Sequence, residues 1–378
     1  MSYDIIFNQA MKLHEEGKLN EAESLYRQIL TTNPNNPDLL NLLGLIAFEK
    51  GIYQNSAELH NKACLISPKF PAYQFNLALA LNAWGKKYEA INAYKKVIEL
   101  DSSIKDAHNN IANIYLTMNN NEKAIYHLQE AIAIDDNFIE AKVNLASITN
   151  NKEEIEKILQ QNPNNAYPYF ILAKFNQETN IDLAISYCEK AYHIEKNESD
   201  IVILLAELYY SNGENIKAKN LLEENKEILK RNCSANLILG NIYLEEENLE
   251  KAEKYYIKAK NIDANNFDVR SNYGNLLCML NQKANALEEY RKAILINPKS
   301  AKVIYNIAKL VTETKEYDEA LGLLFTAIEI DNDFLIAKEL IYKIIQSINE
   351  TDHDKAIKIL ENWQKTYTNC EYNSKLKL

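Results

Sequence analysis

An alanine returns every 34 residues along most of this chain. Ala90 and Ala124 keep that step, as do Ala184, Ala218, Ala252, Ala286 and Ala320, while Ala22 and Ser56 extend the first series backwards and Ala356 arrives two residues late. Four residues after each beat stands a larger side chain: Tyr26, His60, Tyr94, Leu128, Cys188, Leu222, Tyr256, Tyr290, Leu324 and Leu360. A fixed period of this length marks a stack of small supersecondary units, each burying its apolar face against its neighbours, rather than one globular core.

The unit can be built from its own residues. Between Phe267 and Ser300, Tyr273, Gly274 and Leu277 fall at i, i+1 and i+4, and Ala286, Leu287, Tyr290, Ala293 and Ile294 at i, i+1, i+4, i+7 and i+8. Each set is one face of a helix with 3.6 residues per turn. Asn281-Gln282-Lys283 interrupts the apolar pattern between them, and Asn297-Pro298 closes the second helix, because proline disfavours helix in the residue before it. Small residues such as Gly274, Ala286 and Ala293 suit a close approach of two helices.

These features resemble the tetratricopeptide repeat, whose pattern runs Leu-Gly, then Tyr, in a first helix and Ala, an aromatic and a closing Pro in a second. Leu239-Gly240, Tyr243, Ala252 and Tyr256 carry the likeness in one unit, Leu43-Gly44, Ala63 and Pro68 in another, and Ala112, Tyr115, Ala124 and Ala131 in a third. The resemblance implies an all-α, right-handed superhelical solenoid of about eleven helix–turn–helix units. They begin near Tyr3, Pro37, Pro71, Lys105, Ile139, Ala166, Ser199, Cys233, Phe267, Ala301 and Leu335. The expected organisation is a first block over 3–151, a second over 152–367 continuous with it, and a tail over 368–378.

Composition excludes several function classes. The chain carries 8 Gly and 7 Pro in 378 residues, too few for a loop-rich or β-rich protein. No run of eighteen apolar residues exists to span a membrane. The start, Met1-Ser2-Tyr3-Asp4, lacks the basic and apolar regions of a secretory signal, which points to a cytoplasmic protein, with a secreted effector as the other reading. Net charge is −11 with lysines and arginines dispersed. That argues against nucleic acid and anionic membranes, which need a clustered basic surface. Cys64, Cys188, Cys233, Cys278 and Cys370 are scattered and odd in number, as expected of reduced thiols, with Cys188 in a packing position.

The period breaks once. From Ile139 the first helix runs through Leu145 and Ala146, then Asn150-Asn151-Lys152 leads straight to Ile155, Ile158 and Leu159. The turn and the start of the second helix are read as missing, with a kink or weak boundary near Asn150–Ala166. At the other end, the helix carrying Ile357, Leu360 and Trp363 has too little chain after it for a full capping helix. Either residues 369–378 fold back over it, or that face meets another chain, including a second copy.

No catalytic constellation emerges, so the chain is read as not an enzyme, with no cofactor and no metal. His14, His60, His108, His127, His193 and His353 are read as lying in different units without metal-ligand spacing. Asp331-Asn332-Asp333 sits in a turn between repeats, and there is no Gly-rich phosphate loop or nucleophile elbow. The sequons at Asn197, Asn232 and Asn349 mean little without a signal peptide.

What remains is surface. In tetratricopeptide arrays the first helices line the inner face where ligands lie. Two positions before the small residue of that helix stand Asn8, Asn76, Asn110, Asn144, Asn272 and Asn306, and one position after it stand Asn113, Asn241 and Asn275. An amide offers donors and an acceptor, so this ladder is read two ways: as contacts to the backbone of an extended peptide, or as bridges between adjacent helices. Asn76, Asn110, Asn113, Asn144, Asn241, Asn272, Asn275 and Asn306 are the candidate peptide-binding residues. In the middle of the array Ile171, Leu204 and Ile238 take the ladder position, with Phe170 and Tyr210 nearby. That fits an apolar anchor on the ligand or inward packing.

The stretches 76–101 and 110–135, with Gly17–Gly51, are similar to the repeat region of O-linked N-acetylglucosamine transferases. A transferase domain does not follow here, so that likeness implies substrate presentation and not the chemistry. The family's carboxylate clamp is not expected, since Ser271, Ile336 and Leu340 stand where its basic residues would be. The function read from the chain is a protein-interaction scaffold binding a peptide segment of a partner. The alternatives are a substrate-recruiting subunit of a separate glycosyltransferase and a bacterial effector that binds host proteins.

Overall fold

The computed structural model describes residues 3–350 and 352–366, in two compact units, Met1–Phe175 and Asn176–Leu378. The division falls inside a helix, further along the chain than the short repeat. The described residues form α-helices and one 3-10 turn, and no helix among them is long and apolar enough to cross a membrane. The expected capping by residues 369–378, and the side chains of Leu360 and Trp363, lie outside the described residues.

The first unit is a row of helical hairpins. α1 (Tyr3–Glu15) pairs with α2 (Leu19–Thr32), α3 (Pro37–Glu49) with α4 (Tyr53–Ile66), and α5 (Pro71–Ala83) with α6 (Lys87–Leu100). α7 (Lys105–Thr117) pairs with α8 (Asn121–Ile134), and α9 (Ile139–Ile148) with α10 (Lys152–Gln161), before α11 (Ala166–Asn176). The second unit opens with α12 (Ile181–Ile194). Four hairpins follow: α13 (Ser199–Ser211) with α14 (Asn215–Glu224), α15 (Cys233–Glu245) with α16 (Leu249–Ile262), α17 (Phe267–Met279) with α18 (Lys283–Ile296), and α19 (Ala301–Glu313) with α20 (Tyr317–Ile330). α21 (Leu335–Asn349) and α22 (His353–Thr366) complete it. The second helices α2, α4, α6 and α8, and α12, α14, α16, α18 and α20, also pack on the next first helix, and α3 meets α5 as α15 meets α17 and α19 meets α21.

The 34-residue beat is the contact where the hairpin closes. Ala22, Ala90, Ala124, Ala184, Ala218, Ala252, Ala286, Ala320 and Ala356 are wholly buried. Ser56 keeps the beat because its buried hydroxyl is paired, donating to the Gly44 carbonyl at 2.8 Å. The glycines of the first helices have a partner: a Cβ on Gly44 would lie 2.6 Å from the His60 ring, on Gly240 2.7 Å from the Tyr256 ring, and on Gly274 2.6 Å from the Tyr290 ring. Ring and glycine are one packing device, absent where Leu128 faces Ala112.

Most of the hairpin turns contain one left-handed residue, which within each unit recurs every 34 residues. Gly17, Gly51, Gly85 and Asn119 supply it in the first unit, and Gly213, Glu247, Asn281 and Lys315 in the second. Asparagine oxygens also cap helix starts: Asn36 accepts from Asp38 and Leu39, and Asn120, Asn151, Asn180, Asn232, Asn248 and Asn266 each accept one backbone N–H. Much of the chain's asparagine therefore serves local backbone geometry.

The short repeat is built differently from the expectation. Its turn is intact, with Asn150 at φ 53° in the left-handed region. The missing residues are shared instead between helices: α9 and α10 have 10 residues each, against 13 in α7 and 14 in α8. Losing a turn from each keeps the hairpin closed, whereas losing the turn itself would not.

A second irregularity has no trace in the period. α14 stops at Glu224 after 10 residues, and a 3-10 turn, Ile228–Lys230, replaces its last helical turn. Asn225 stands where Ala191, Ala259, Ala293 and Ala327 cross the neighbouring helix, and its amide donates back to the Leu221 carbonyl at 2.8 Å. A polar residue at a close helix crossing ends the helix by capping it. Buried Asn236 then holds the irregular segment, donating to the carbonyls of Leu229 at 2.8 Å and Asn232 at 2.7 Å.

Candidate functional site

The ladder asparagines lie on the first-helix faces, and the structure brings them together in each unit as hydrogen-bonded sets. In the second unit Asn272 donates to Asn241 Oδ1 at 3.0 Å and Asn306 to Asn275 Oδ1 at 3.0 Å. The same two oxygens accept from buried tyrosines of the second helices, Tyr256 to Asn241 at 2.8 Å and Tyr290 to Asn275 at 2.7 Å. One asparagine thus clasps three elements: its own helix, the partner helix of its hairpin and the first helix of the next repeat.

The first unit repeats the clasp with other atoms. Asn76 donates to Asn41 Oδ1 at 2.9 Å, and His60 Nδ1 meets the same oxygen at 2.9 Å. An acceptor shared this way places the imidazole proton on Nδ1. Asn110 bonds to the Tyr94 hydroxyl. Buried Asn144 donates to Asn109 Oδ1 at 3.2 Å and to exposed Asn113 Oδ1 at 3.3 Å, and accepts from Tyr167 at 2.6 Å. Sequence reasoning missed Asn41, Asn109 and the tyrosine donors. The signal was present as a constant spacing of fifteen residues from Asn241 to Tyr256 and from Asn275 to Tyr290.

These bonds use part of each amide. Asn76, Asn272 and Asn306 are half-buried, and each donates one amide proton to the neighbouring asparagine. An amide has two such protons and a carbonyl, so its remaining groups stay on the face, held at a fixed angle by the clasp. Asn144 has its carbonyl and amide engaged and is buried, which makes it part of the packing.

The apolar middle resolves as packing. Ile171, Leu204 and Ile238 are buried, so they are taken up by packing against their neighbours. Tyr210 is half-buried and donates to Glu245 at 2.8 Å, while Phe170 carries the Lys174 ammonium over its ring at 5.4 Å. Of the clamp positions, Ser271 is buried and Ile336 exposed.

Two histidines read as belonging to different units share one repeat. His108 of α7 and His127 of α8 are buried with their Nδ1 atoms 3.1 Å apart, one donating to the other. Burial pushes His127 down to about 4, with His108 and Lys95 adding to it, and lowers His108 as well. Among the described residues no group of three or more His, Cys, Asp or Glu is placed to hold a metal ion. Cys188 is in the core, and burial pushes its thiol up to about 12.

A cleft of about 980 Å³ lies away from the asparagines, beside the irregular segment after α14. Glu223, Lys226, Lys230, Tyr255 and Lys258 are among the residues that line it. It exists because α14 lacks its last turn, and its exposed walls carry both signs of charge.

With the hairpins and their clasps in view, the comparisons agree on the repeat. Family models described as tetratricopeptide repeat match residues 7–73, 71–104, 106–138 and 234–266. The chain is a tetratricopeptide-repeat array. It is 35% identical over 85 residues to the TPR repeat-containing thioredoxin TTL4 of Arabidopsis thaliana, 22% of this chain and 12% of that protein. It is 21% identical over 225 residues to the TPR repeat-containing protein YpiA of Bacillus subtilis, 57% of this chain and 52% of that one. The chain thus spans between an eighth and about half of these relatives. Among solved structures, yeast Tom70 is similar at 15% identity and a TM-score of 0.45, covering 94% of this chain and 98% of that one. YrrB, described as a TPR protein with an unusual peptide-binding site, is similar at 21% identity and a TM-score of 0.41, covering 50% of this chain and 98% of that one. These likenesses concern the repeat and not the transferase-type subtype. Tetratricopeptide repeats generally mediate protein–protein interaction, and such arrays are typically non-catalytic.

Proposed function

We propose that this chain is a scaffold that takes an extended segment of a partner protein along the first-helix face of its repeats. The observation that carries the reading is the set of half-buried asparagines, Asn76 and Asn272 each pinned by a bond to a neighbouring asparagine and Asn306 by bonds to Asn275 and the Tyr290 hydroxyl, with part of each amide left over for a ligand. Pinning removes the rotamer freedom a free amide would lose on binding, which lowers the cost of each contact. A single contact still contributes only about 0.5–1.5 kcal/mol, so the segment must meet several repeats at once.

The test uses extended peptides selected by display on the full chain. Replacing Asn76, Asn110, Asn272 and Asn306 with alanine is expected to weaken their binding at least about tenfold, two or more lost contacts being worth that factor. Asn144 stays intact, because its removal would strand Tyr167. Asn241 keeps Tyr256 and Asn275 keeps Tyr290 as donors, so the variant should still unfold cooperatively. A folded variant that binds as tightly as the parent would make the asparagines purely structural and end this reading.

A further inference from the structure

The first helices of the second unit carry an ordered charge pattern on the face that bears the clasps. In each of them the second, sixth and ninth residues fall at i, i+4 and i+7, one stripe of a helix. The sixth and ninth include Asn241, Asn272, Asn275 and Asn306, so the flanking residues of the same stripe share their face. α13 contributes Asp200 and Glu207, α15 no charge, α17 Asp268, α19 Lys302 and Lys309, and α21 Lys343. The face therefore runs from two carboxylates, through neutral amides and one carboxylate, to three ammonium groups.

This sequence of charges is continuous because successive first helices touch. Tyr210 of α13 bonds Glu245 of α15, Asn272 of α17 bonds Asn241 of α15, Asn306 of α19 bonds Asn275 of α17, and α21 packs on α19. Lys302, Lys309 and Lys343 are exposed and make no ion pair among the described residues. Of the acids on these helices, Glu207 has a partner of its own, Glu245 accepts from Tyr210 and Asn215, and Glu313 pairs with Lys283, while Asp200 and Asp268 are exposed. Glu339, close enough to raise the Tyr305 phenol, has a partner of its own and is outnumbered by the lysines.

We propose that this polarity fixes the direction of the bound segment: its acidic end, or a C-terminal carboxylate, lies over α19 and α21, and its basic end over α13. The proposal rests on the reading of the face as a peptide site and adds which peptides it takes. Four helix-to-helix steps of roughly 9 Å each span about 36 Å, the reach of an extended segment of about eleven residues. Complementary charge at both ends selects one orientation, since the reversed segment would set like charges together at each end.

The probe is a peptide of about twelve residues with two lysines at its amino end, an alternating Ser/Leu middle and two glutamates at its carboxyl end. A second peptide of the same composition has its charges alternating. At low salt the block peptide is expected to bind the full chain about tenfold tighter than the alternating one, and the difference should shrink at high salt. A photo-crosslinker at the acidic end should label residues 301–343, and one at the basic end residues 199–207. Changing Lys302, Lys309 and Lys343 together to Glu should remove the block peptide's advantage while the alternating peptide binds as before. Equal affinity of the two peptides, failure of the block peptide to bind, or labelling of both regions from both ends overturns the polarity. If the peptides bind but crosslink away from the first helices, the peptide-site reading falls too, so the two failures are distinguishable.

Discussion

Where a first helix carries a glycine, the two units fill the position facing it with different chemistry. In the first, the His60 imidazole lies over Gly44 and meets Asn41. In the second, the Tyr256 and Tyr290 phenols lie over Gly240 and Gly274 and donate to Asn241 and Asn275. Each ring is almost fully buried, and each anchors an asparagine that reaches the next repeat. Burial pushes His60 down to about 4 and both phenols upward, so each ring is neutral near pH 7. One packing solution thus gives two pH responses: an acid proton can reach the imidazole's free nitrogen, and the phenol has no equivalent.

The comparison breaks most severely at the rings. Tyr290→Ala removes a fully buried side chain and the donor to Asn275, and should cost about 3–5 kcal/mol in the second unit. Tyr290→Phe keeps the ring and loses only the hydrogen bond, about 1 kcal/mol. Urea unfolding read by tryptophan-independent far-UV signal and by exchange of the two units separately measures both. Equal costs for the two variants would mean that the hydroxyl, and not the ring over Gly274, carries the clasp.

Acid sharpens the same contrast. Between about pH 6.5 and 4 the unfolded chain holds a proton on His60 that the folded unit excludes. The stability from its neutral, buried state is therefore complete above pH 6.5 and is lost as pH falls towards 4. A displacement of that size is worth roughly 3 kcal/mol, and His127, also pushed down to about 4, adds to it. Hydrogen exchange at falling pH should show protection lost in 37–134 before 233–330, where no buried histidine stands among the described residues. His60→Phe should flatten the slope of the first unit. Parallel loss of protection in both units would show that His60 and His127 take up protons without unfolding.

The repeat, its helix pairs and the packing role of Cys188 were legible because each follows from apolar spacing, which the period preserves. The asparagine ladder was legible as a pattern, but its bonds were not. A sequence gives the position of an amide on a helix and not the partner that a neighbouring repeat brings to it, which is why Asn41 and Asn109 went unread. The broken α14 was hidden because residues 199–232 keep their full count. Only the identity of Asn225, polar where its counterparts are alanine, announced it. In the short repeat the count gave the size of the loss, and keeping the left-handed turn residue, Asn150, put that loss in the helices.

The left-handed position carries the smallest difference between repeats, glycine in four of them and a residue with a Cβ in the others. Gly17, Gly51 and Gly85 fill it in the first unit, where glycine adopts a positive φ without steric cost. In the second unit Glu247 at φ 58° and Lys315 at φ 64° hold the same conformation with a Cβ that crowds the following carbonyl, a cost of about 1–2 kcal/mol each. Glycine at these positions relieves that crowding but loses more backbone entropy on folding, about 0.5–1 kcal/mol, so Glu247→Gly and Lys315→Gly should each gain up to about 1 kcal/mol. The converse substitutions, Gly51→Ala and Gly85→Ala, meet no neighbouring atom within 4 Å, so their loss, of about 1 kcal/mol, reports the backbone conformation alone. Thermal melts of the four variants decide it: both glycine variants must rise and both alanine variants fall. A fall in Glu247→Gly would mean that the glutamate contributes more to its turn than the strain takes away.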